Sequence, residues 1–267
     1  MPRLLIVGFG DIARRALPLL ERRFTVFKLS RREGFDLDRP ETLRLEPADA
    51  LLHLAPPPAH GETDTRTAHL LAALEKRSIL PARVVYVSTS GVYGDCGGAR
   101  VDESRPIAPA TARARRRADA ERQLNAWCER RNIPLVILRP PGIYAAERLP
   151  LERLRAGTPA RPAADDLYTN HIHADDLAAI AVRALERDAH AGIYNAVDDT
   201  EMKIGDWLDL VADFSGLQRL PRAANASGFA NESRRLDNRR LKEVLGYSLR
   251  YRTVHEGLRH EQALGID

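Results

Sequence analysis

The sequence predicts an α/β fold in which a doubly wound parallel sheet forms the core and a small second domain follows toward the C-terminus. Short apolar segments without polar alternation, such as RLLIV at 3–7 and VVYVS at 84–88, are typical of strands buried on both faces of a parallel sheet. These segments alternate with longer segments of helical periodicity, such as residues 67–77. Regular alternation of this kind builds a parallel sheet that is covered by helices on both sides.

A glycine turn connects the first predicted strand to the first predicted helix. The segment GFGDIA follows the strand directly, and Gly8 and Gly10 let the backbone turn tightly and approach a ligand. The free amides at the start of the helix, at Asp11 and Ile12, offer partial positive charge to a diphosphate. Ala13 stands where a third small residue lets helix and strand pack closely. The turn therefore predicts a Rossmann-like fold that binds a dinucleotide, with a plain tight turn as the alternative.

The second predicted strand, residues 24–29, is followed by Ser30, Arg31 and Arg32. A coenzyme with a free ribose 2′-hydroxyl usually meets an acidic residue at this place. A hydroxyl followed by guanidinium groups suits a 2′-phosphate instead, because arginine binds phosphate with a planar fork. The sequence therefore favours NADP over NAD as the cofactor. The alternative is that the two arginines are exposed loop charges.

The third and fourth predicted strands should bring further residues to the same edge of the sheet. Residues 48–58 form an apolar strand closed by three prolines, so Leu54 and Ala55 are expected at its carboxyl end. Ser88 and Thr89 follow the fourth strand in the same way. Because ligands of doubly wound sheets bind outside the carboxyl ends of the strands, we expect Leu54, Ala55 and Ser88 to contact the cofactor.

Five segments in order carry a resemblance to a known family. They are GFGDIA at 8–13, VVYVSTSGVYGD at 84–95, ILRPPGIY at 137–144, NHIHADDLA at 170–178 and RLDNRRLKEVLGY at 235–247. Through them nearly the whole chain resembles the extended short-chain dehydrogenase/reductase family, the NAD-dependent epimerase/dehydratase-like proteins. The resemblance implies a dinucleotide-binding domain of residues 1–145 and 166–197 and a small substrate domain of residues 146–165 and 198–267.

The family resemblance also implies site residues. Enzymes of that family use a serine or threonine that orients the substrate oxygen and a tyrosine that exchanges its proton. A lysine four residues after the tyrosine lowers the tyrosine's pKa and holds the nicotinamide ribose. Thr89 matches the serine or threonine position, and Pro140 and Tyr144 lie in the segment expected beside the nicotinamide. The resemblance thus implies Pro140 as a cofactor contact and Tyr144 as a candidate acid.

The tyrosine and the lysine of that pattern are missing here. The segment PATARARRRADAERQL at 109–124 places Arg113 at the tyrosine position and Arg117 at the lysine position, and no lysine of the chain has a tyrosine four residues before it. A guanidinium has a pKa above about 12 and does not exchange protons near neutral pH. Arg117 can still hold a ribose or phosphate oxygen, and Arg113 can clamp a carboxylate or phosphate or neutralise a developing oxyanion.

Helical periodicity separates the arginines of this segment into two groups. One stripe of the predicted helix contains Arg113, Arg117, Ala120, Leu124 and Trp127. The apolar members of the stripe should face the sheet, so Arg113 and Arg117 are expected to face the nicotinamide end of the cofactor. Arg115 and Arg116 are expected on a solvated face.

Several other groups near the predicted edge are candidate replacement acids: Tyr93, Asp95, Glu103, Tyr144, His171 and His173. For Tyr144, catalysis competes with an ordinary packing role. Two histidines two residues apart without a thiolate make a poor zinc site, so no metal is predicted. Structural roles at the start of a helix are expected for His171, His173, Asp175 and Asp176.

Composition narrows the class of protein. The 267 residues carry a net charge of +4, from 41 basic and 37 acidic residues, and aromatic residues make up 6%. So small a basic excess and so few aromatic side chains argue against a nucleic-acid binder. No segment has the length of a membrane span and none resembles a signal peptide, which predicts a cytoplasmic protein that binds no membrane.

Two function hypotheses remain. The first is an atypical NADP-binding oxidoreductase or epimerase/dehydratase whose catalytic residues include Thr89, Arg113, Arg117 and Tyr144. Its substrate would be a small carbonyl or sugar-type molecule, anionic or neutral. The second is a dinucleotide-binding protein that has lost catalysis and serves as a sensor or scaffold. Both are compatible with a monomer or a homodimer.

Overall fold

The computed structural model describes residues 1–224, 226 and 231–263. Within them the strands are β1 (Arg3–Val7), β2 (Thr25–Leu29), β3 (Ala50–His53), β4 (Val84–Val87), β5 (Arg100–Val101), β6 (Leu135–Leu138), β7 (Gly142–Tyr144), β8 (Tyr168–Thr169), β9 (His171–His173), β10 (Gly192–Tyr194), β11 (Met202–Lys203) and β12 (Arg235–Leu236). The helices are α1 (Asp11–Leu20), α2 (Thr65–Lys76), α3 (Ala112–Glu129), α4 (Leu151–Arg155), α5 (Ala174–Ala184), α6 (Ile204–Phe214), α7 (Arg239–Glu243) and α8 (Val254–Ala263). None of these helices combines the length and the hydropathy of a membrane span.

Six strands form one parallel sheet in the order β2-β1-β3-β4-β6-β10. Every neighbouring pair runs parallel, for example β1 with β3 through Leu5 and Leu51. Because β2 lies on one side of β1 and β3 on the other, the strand order reverses between β1 and β3. The crevice at the carboxyl ends of the strands at such a reversal is the usual ligand site of a doubly wound sheet. The sheet confirms the predicted Rossmann-like α/β fold class.

Helices cover both faces of this sheet. Successive side chains of β1 alternate between two buried clusters, with Leu4 and Ile6 in one and Leu5 and Val7 in the other. The first cluster includes residues of α1 and α5, and the second includes residues of α2 and α3. Since both sides of each strand are buried, the strand segments are continuously apolar in the sequence.

A third hydrophobic cluster lies outside the two faces of the sheet. It contains Trp207 and Val211 of α6 and Val254 and Leu258 of α8, joined by Tyr144 of β7. Most of its members come from the C-terminal part of the chain. The cluster is compatible with a small second domain, whose predicted boundaries stay a prediction.

The first turns of the helices differ in how their backbone amides are satisfied. The side chains of Asp64, Thr111 and His173 accept hydrogen bonds from the backbone amides that open α2, α3 and α5. α1 has no such cap, because Gly10 precedes it and carries no side chain. The amides at the start of α1 are therefore available to a ligand.

Candidate functional site

Two adjoining clefts lie over the carboxyl ends of β1, β3 and β4 and share Gly10. The β2-side cleft has a volume of about 310 Å³ and is lined by Gly8, Phe9, Gly10, Arg14, Leu29, Ser30, Arg31, Arg32, Phe35, Asp36, Leu37, Ala55, Pro56 and Arg66. The β4-side cleft has a volume of about 180 Å³ and is lined by Gly10, Asp11, Ile12, Ala13, Leu54, Val87, Ser88, Thr89, Arg113, Arg117, Pro140, Pro141, Ile143 and Arg148. Every residue that the sequence predicts as a cofactor contact lines one of these clefts. The contact itself stays a prediction.

The two glycines of the turn have different reasons to be glycine. Gly8 has a φ of +89°, and a Cβ there would lie 2.5 Å from the backbone nitrogen of Ala55. A side chain at position 8 would therefore be strained and would force β1 and β3 apart. A Cβ on Gly10 would meet no atom within 4 Å, and the open space beside it belongs to both clefts. The turn thus leaves room at the start of α1.

The charged side chains around the start of α1 are ion-paired. The carboxylate of Asp11 pairs with Arg15 at 3.0 Å and with Arg148 at 3.2 Å. Arg15 also pairs with Asp175 at 2.5 Å and with Glu147. Because Arg15 and Arg148 both pair with Asp11, its negative charge is offset at the positive end of the helix, which can then attract an anion.

The far end of the β2-side cleft is polar and basic. Ser30 follows β2 immediately, where an acidic residue would be expected for a free ribose hydroxyl. Arg31 and Arg32 are exposed and form no ion pair within the described chain. Phe35 and Leu37 add apolar walls beside them. This end of the cleft can hold a flat apolar ring together with an anion.

Arg117, which the sequence predicts at the lysine position, lies buried against the β4-side cleft. Its Nη1 donates to the carbonyl oxygen of Val87 at 2.9 Å, to Tyr86 Oη at 3.1 Å and to the carbonyl oxygen of Ala55 at 3.5 Å. This one nitrogen therefore ties α3 to the ends of β3 and β4. Nε and Nη2 have no hydrogen-bond partner among the described residues, so both donors remain for a ligand in the cleft.

Thr89 lies between the β4-side cleft and a third one, the outer cleft. The outer cleft has a volume of about 200 Å³ and is lined by Thr89, Ser90, Gly91, Pro141, Gly142, Tyr168, Thr169, Asn170, Ile204, Glu232 and Arg234. Thr89 Oγ1 accepts from the backbone amide of Gly91 at 3.2 Å, which leaves its own proton free to point toward a ligand. Arg113 lines the β4-side cleft and is exposed. A molecule that spans the two clefts would meet a hydroxyl and a cation.

The arginines of α3 differ from the prediction in one respect. Arg113 is exposed at the cleft and Arg115 lies on the outer side of the helix, where it pairs with Glu62. Arg116, however, is only 7% exposed, and its Nη1 donates to the carbonyl oxygen of Gly61 at 2.6 Å. The prediction of a solvated face for Arg116 is wrong, because the loop that contains Gly61 packs over this side of α3.

Tyr144 is not among the residues that line the clefts. Its ring packs edge-on against His173 at 5.1 Å and against Trp207 at 5.7 Å, and its hydroxyl donates to the carbonyl oxygen of Thr253 at 3.4 Å. Burial raises the pKa of this hydroxyl well above its ordinary value. The preceding residue, Ile143, lines the β4-side cleft instead. The geometry favours the packing role for Tyr144 over the catalytic one.

The other candidate acids of the β4 region are also engaged away from the clefts. Tyr93 Oη donates to the side-chain oxygen of Asn195 at 2.9 Å, and Glu103 accepts from the backbone amide of Asn195 at 2.7 Å. Asp95 accepts from the backbone amides of Gly97 at 3.1 Å and of Ser233 at 2.9 Å. These groups hold loops together.

The histidines of β9 and the acidic residues that follow them have structural partners. His173 caps α5, and its Nε2 lies 2.8 Å from a carboxylate oxygen of Glu261. Asp176 is buried and accepts from the hydroxyl of Tyr247 at 2.7 Å. Burial lowers the pKa of His171 to about 3, so that this imidazole is neutral. The described part of the chain contains no cluster of three such side chains suited to a metal ion.

Three arginines that line the clefts are not predicted as site residues from the sequence: Arg14, Arg66 and Arg148. Arg66 pairs with Asp38 at 2.5 Å, but the two residues are far apart in the sequence, so no local sequence pattern predicts this pair. Arg148 reaches the cleft from the segment after β7. Only Arg14 carries a signal in the sequence, because it lies one helical turn after Gly10 and so points to the same side of α1 as the turn.

Comparisons with known proteins agree with this architecture. The sequence model of the NAD dependent epimerase/dehydratase family matches residues 41–196. A search of curated proteins found no match.

Solved structures resemble the whole chain. A conserved protein of unknown function from Silicibacter pomeroyi is 28% identical, with 99% of each chain covered and a TM-score of 0.80. A candidate NAD-dependent epimerase/dehydratase from Methylobacillus flagellatus is 26% identical, covers 100% of this chain and 99% of its own, and has a TM-score of 0.75. RMD from Pseudomonas aeruginosa, solved in complex with NADPH, is 20% identical, with 98% of each chain covered and a TM-score of 0.77. Because the family match covers more than half of the sequence, the chain belongs to the NAD dependent epimerase/dehydratase family.

Proposed function

We propose that this protein binds NADP(H) across the two clefts and acts as an oxidoreductase or an epimerase/dehydratase on a small carbonyl or sugar-type substrate. The observation that carries the proposal is the open space at Gly10, where the uncapped start of α1 meets both clefts. A diphosphate at this point would be held by backbone amides and by the helix dipole. The adenosine end would then lie toward β2 and the nicotinamide end toward β4.

The preference for NADP(H) rests on the β2-side cleft. A 2′-phosphate at its far end would meet the hydroxyl of Ser30 and the forks of Arg31 and Arg32. The apolar walls of Phe35 and Leu37 suit an adenine ring. The RMD structure, which contains NADPH, supports the capacity of this fold for the phosphorylated coenzyme.

The bound coenzyme would supply hydride exchange at its nicotinamide ring. The residues of the chain would position and stabilise the substrate. The hydroxyl of Thr89 would donate to the reacting oxygen, and Arg113 would neutralise negative charge on the substrate or on that oxygen. Arg117 would hold a ribose hydroxyl through the two donors that the protein leaves free. The outer cleft of about 200 Å³, which shares Thr89 with the β4-side cleft, is the proposed place of the small substrate.

Coenzyme binding is tested by fluorescence titration of the protein with NADPH and with NADH. We expect the wild-type protein to prefer NADPH, and Arg31→Asp to remove that preference, because the new carboxylate repels the 2′-phosphate. Arg39→Asp is the matched control, since it makes the same charge change at an exposed position outside the clefts. Equal loss of preference in both variants, or no binding of either coenzyme by the wild-type protein, would overturn the proposal.

Catalysis is tested by NADPH oxidation with a panel of small keto acids, aldehydes and sugars. Thr89→Ala should lower kcat by about a hundredfold, the usual effect of losing one donor to a developing oxyanion. Thr89→Ser keeps the hydroxyl and should retain most of the rate. A panel substrate that turns over equally in wild type and Thr89→Ala would contradict the role of this hydroxyl.

A second candidate function is a coenzyme sensor without catalysis. Asp11 is the one carboxylate among the residues that line the β4-side cleft, and it is paired with two arginines. No tyrosine or histidine lines this cleft. Tight NADPH binding without turnover of any panel substrate, unchanged in Thr89→Ala, would favour the sensor.

A further inference from the structure

Seven arginines line the β2-side and β4-side clefts: Arg14, Arg31, Arg32, Arg66, Arg113, Arg117 and Arg148. Arg66 and Arg148 are ion-paired with Asp38 and Asp11. The other five form no ion pair within the described chain, although Arg31 interacts electrostatically with Asp38 and Arg117 with Asp64. Guanidinium groups that share a cleft without a directly paired carboxylate repel one another, which favours an anion as the ligand there.

These unpaired arginines lie at two ends of the paired clefts. Arg113 and Arg117 line only the β4-side cleft, where the nicotinamide end is expected. Arg14 lines only the β2-side cleft, together with Arg31 and Arg32. The start of α1, at Gly10, lies between the two groups. The pattern indicates one anion site at each end, in addition to the site for the diphosphate.

Arg14 is the member of the β2-side group that the coenzyme proposal has not used. It is the fourth residue of α1 and exposed, and its backbone amide donates to the carbonyl oxygen of Gly10 at 3.1 Å. The next residue, Arg15, contacts three carboxylates, whereas Arg14 has none. Asp36, the one carboxylate among the described residues that line this cleft, accepts from the backbone amide of Asp38 at 3.0 Å and forms no ion pair with Arg14. Arg14 is therefore free to meet a ligand.

We propose that Arg14 acts with Arg31 and Arg32 as a clamp for the 2′-phosphate of NADP(H), and thereby determines coenzyme specificity. The inference rests on the proposed coenzyme function and deepens it. Arg31 and Arg32 approach the phosphate from the end of β2, and Arg14 approaches it from the first turn of α1. Two elements that line the same cleft would thus hold one anion.

The competing role for Arg14 is a contact with the diphosphate, one helical turn away. The two roles differ in what they predict for the two coenzymes. A contact with the diphosphate weakens NADPH and NADH alike, because both carry that group. A contact with the 2′-phosphate weakens NADPH alone. The ratio of the two dissociation constants therefore separates them.

The experiment compares Arg14→Gln with the wild-type protein by calorimetric titration of NADPH, NADH, 2′,5′-ADP and 5′-AMP. Loss of one charge-assisted contact should weaken NADPH and 2′,5′-ADP about tenfold or more and leave NADH and 5′-AMP within about twofold. Arg113→Gln is the matched control, because it removes one unpaired arginine from the other end of the clefts. It should not change the affinity ratio of 2′,5′-ADP to 5′-AMP.

Each outcome has a separate meaning. If wild-type protein and Arg31→Asp behave as proposed but Arg14→Gln leaves the ratio of NADPH to NADH affinity unchanged, the clamp is wrong and the coenzyme proposal stands. Equal weakening of both coenzymes also overturns the clamp, in favour of a diphosphate contact. Absence of binding to every probe in the wild-type protein refutes the coenzyme proposal itself. Thermal unfolding of each variant shows whether it remains folded.

Discussion

A buried ion pair joins α3 to Arg139, the residue that follows β6. Glu121 accepts from Arg139 Nη2 at 2.6 Å and from Arg139 Nε at 3.1 Å, and the two side chains are only 6% and 4% exposed. Ser88 Oγ donates to the same carboxylate at 2.5 Å. Ser88 follows β4 immediately and precedes Thr89, so the pair also fixes the position of the proposed substrate-binding hydroxyl. Removal of one partner should therefore affect both stability and function.

The size of the effect follows from burial. Glu121→Ala leaves the guanidinium of Arg139 in the interior without its counter-charge, which should lower the free energy of unfolding by about 3–5 kcal/mol. That is a large share of the roughly 5–15 kcal/mol by which a domain is stable. Replacement of both partners by apolar side chains, Glu121→Leu with Arg139→Met, removes the unpaired charge. The double variant should lose less stability than Glu121→Ala alone.

The assay is urea unfolding of Glu121→Ala, of Glu121→Leu and Arg139→Met singly, and of the double variant that combines the last two, followed by tryptophan fluorescence. We expect each single substitution to lower the free energy of unfolding by a large amount. The loss in the double variant should be much smaller than the sum of the two single losses, and the difference is the coupling free energy. A loss below about 1 kcal/mol for Glu121→Ala would refute the reasoning, because a fully buried cation cannot be left unpaired at so small a cost. A double variant whose loss equals that sum would refute it as well.

Three further predictions follow from the same structure. Gly8→Ala should lower the free energy of unfolding by more than about 2 kcal/mol in urea unfolding, because Gly8 has a left-handed φ and the chain after β3 approaches it closely. Gly10→Ala should fold normally, since a Cβ there meets no atom, and should lose NADPH affinity in the fluorescence titration. Burial raises the pKa of Asp198 from 3.8 to about 8, so the stability that its protonated form contributes is complete below about pH 4 and is lost as the pH rises through about 8. Asp198→Asn should flatten this decline in unfolding experiments across that range, and an unchanged slope would contradict the assignment. Tyr144→Phe should change stability by no more than about 1 kcal/mol and leave NADPH turnover unaltered, whereas a loss of turnover would restore this tyrosine as a catalytic candidate.

The sequence predicts the sheet and the edge where the clefts lie because both are encoded locally. Strands buried on two faces must be apolar throughout, and the glycine turn directly follows the first of them. The carboxyl ends of parallel strands meet at one edge. The sequence therefore predicts that residues such as Ser30, Ala55 and Ser88 lie at that edge, even when the conformations of the loops are unknown. Alternation of strand and helix thus determines most of the cleft lining.

Residues whose surroundings come from distant loops are not predictable in this way. Periodicity shows that Arg116 lies beside the sheet-facing stripe of α3, but it cannot show that the loop with Gly61 covers it. Tyr144 is a second case. Its strand, β7, pairs with β9, and successive side chains of a strand point to opposite sides. A shift of one residue therefore decides between the cleft, which Ile143 lines, and the third hydrophobic cluster.

In the proposed enzyme, Arg113 and Arg117 take the places of the tyrosine and the lysine, and they change what the β4-side cleft can do. A tyrosine and a lysine form a pair that exchanges a proton, whereas two guanidinium groups stay charged across the physiological pH range. Such a cleft would stabilise negative charge on a substrate oxygen without protonating it, so in the proposed enzyme the proton would come from the substrate or from water. The same cations strengthen the binding of anions, which needs no proton transfer. Both proposed functions therefore need coenzyme binding, whereas only the enzyme also needs a source for the proton.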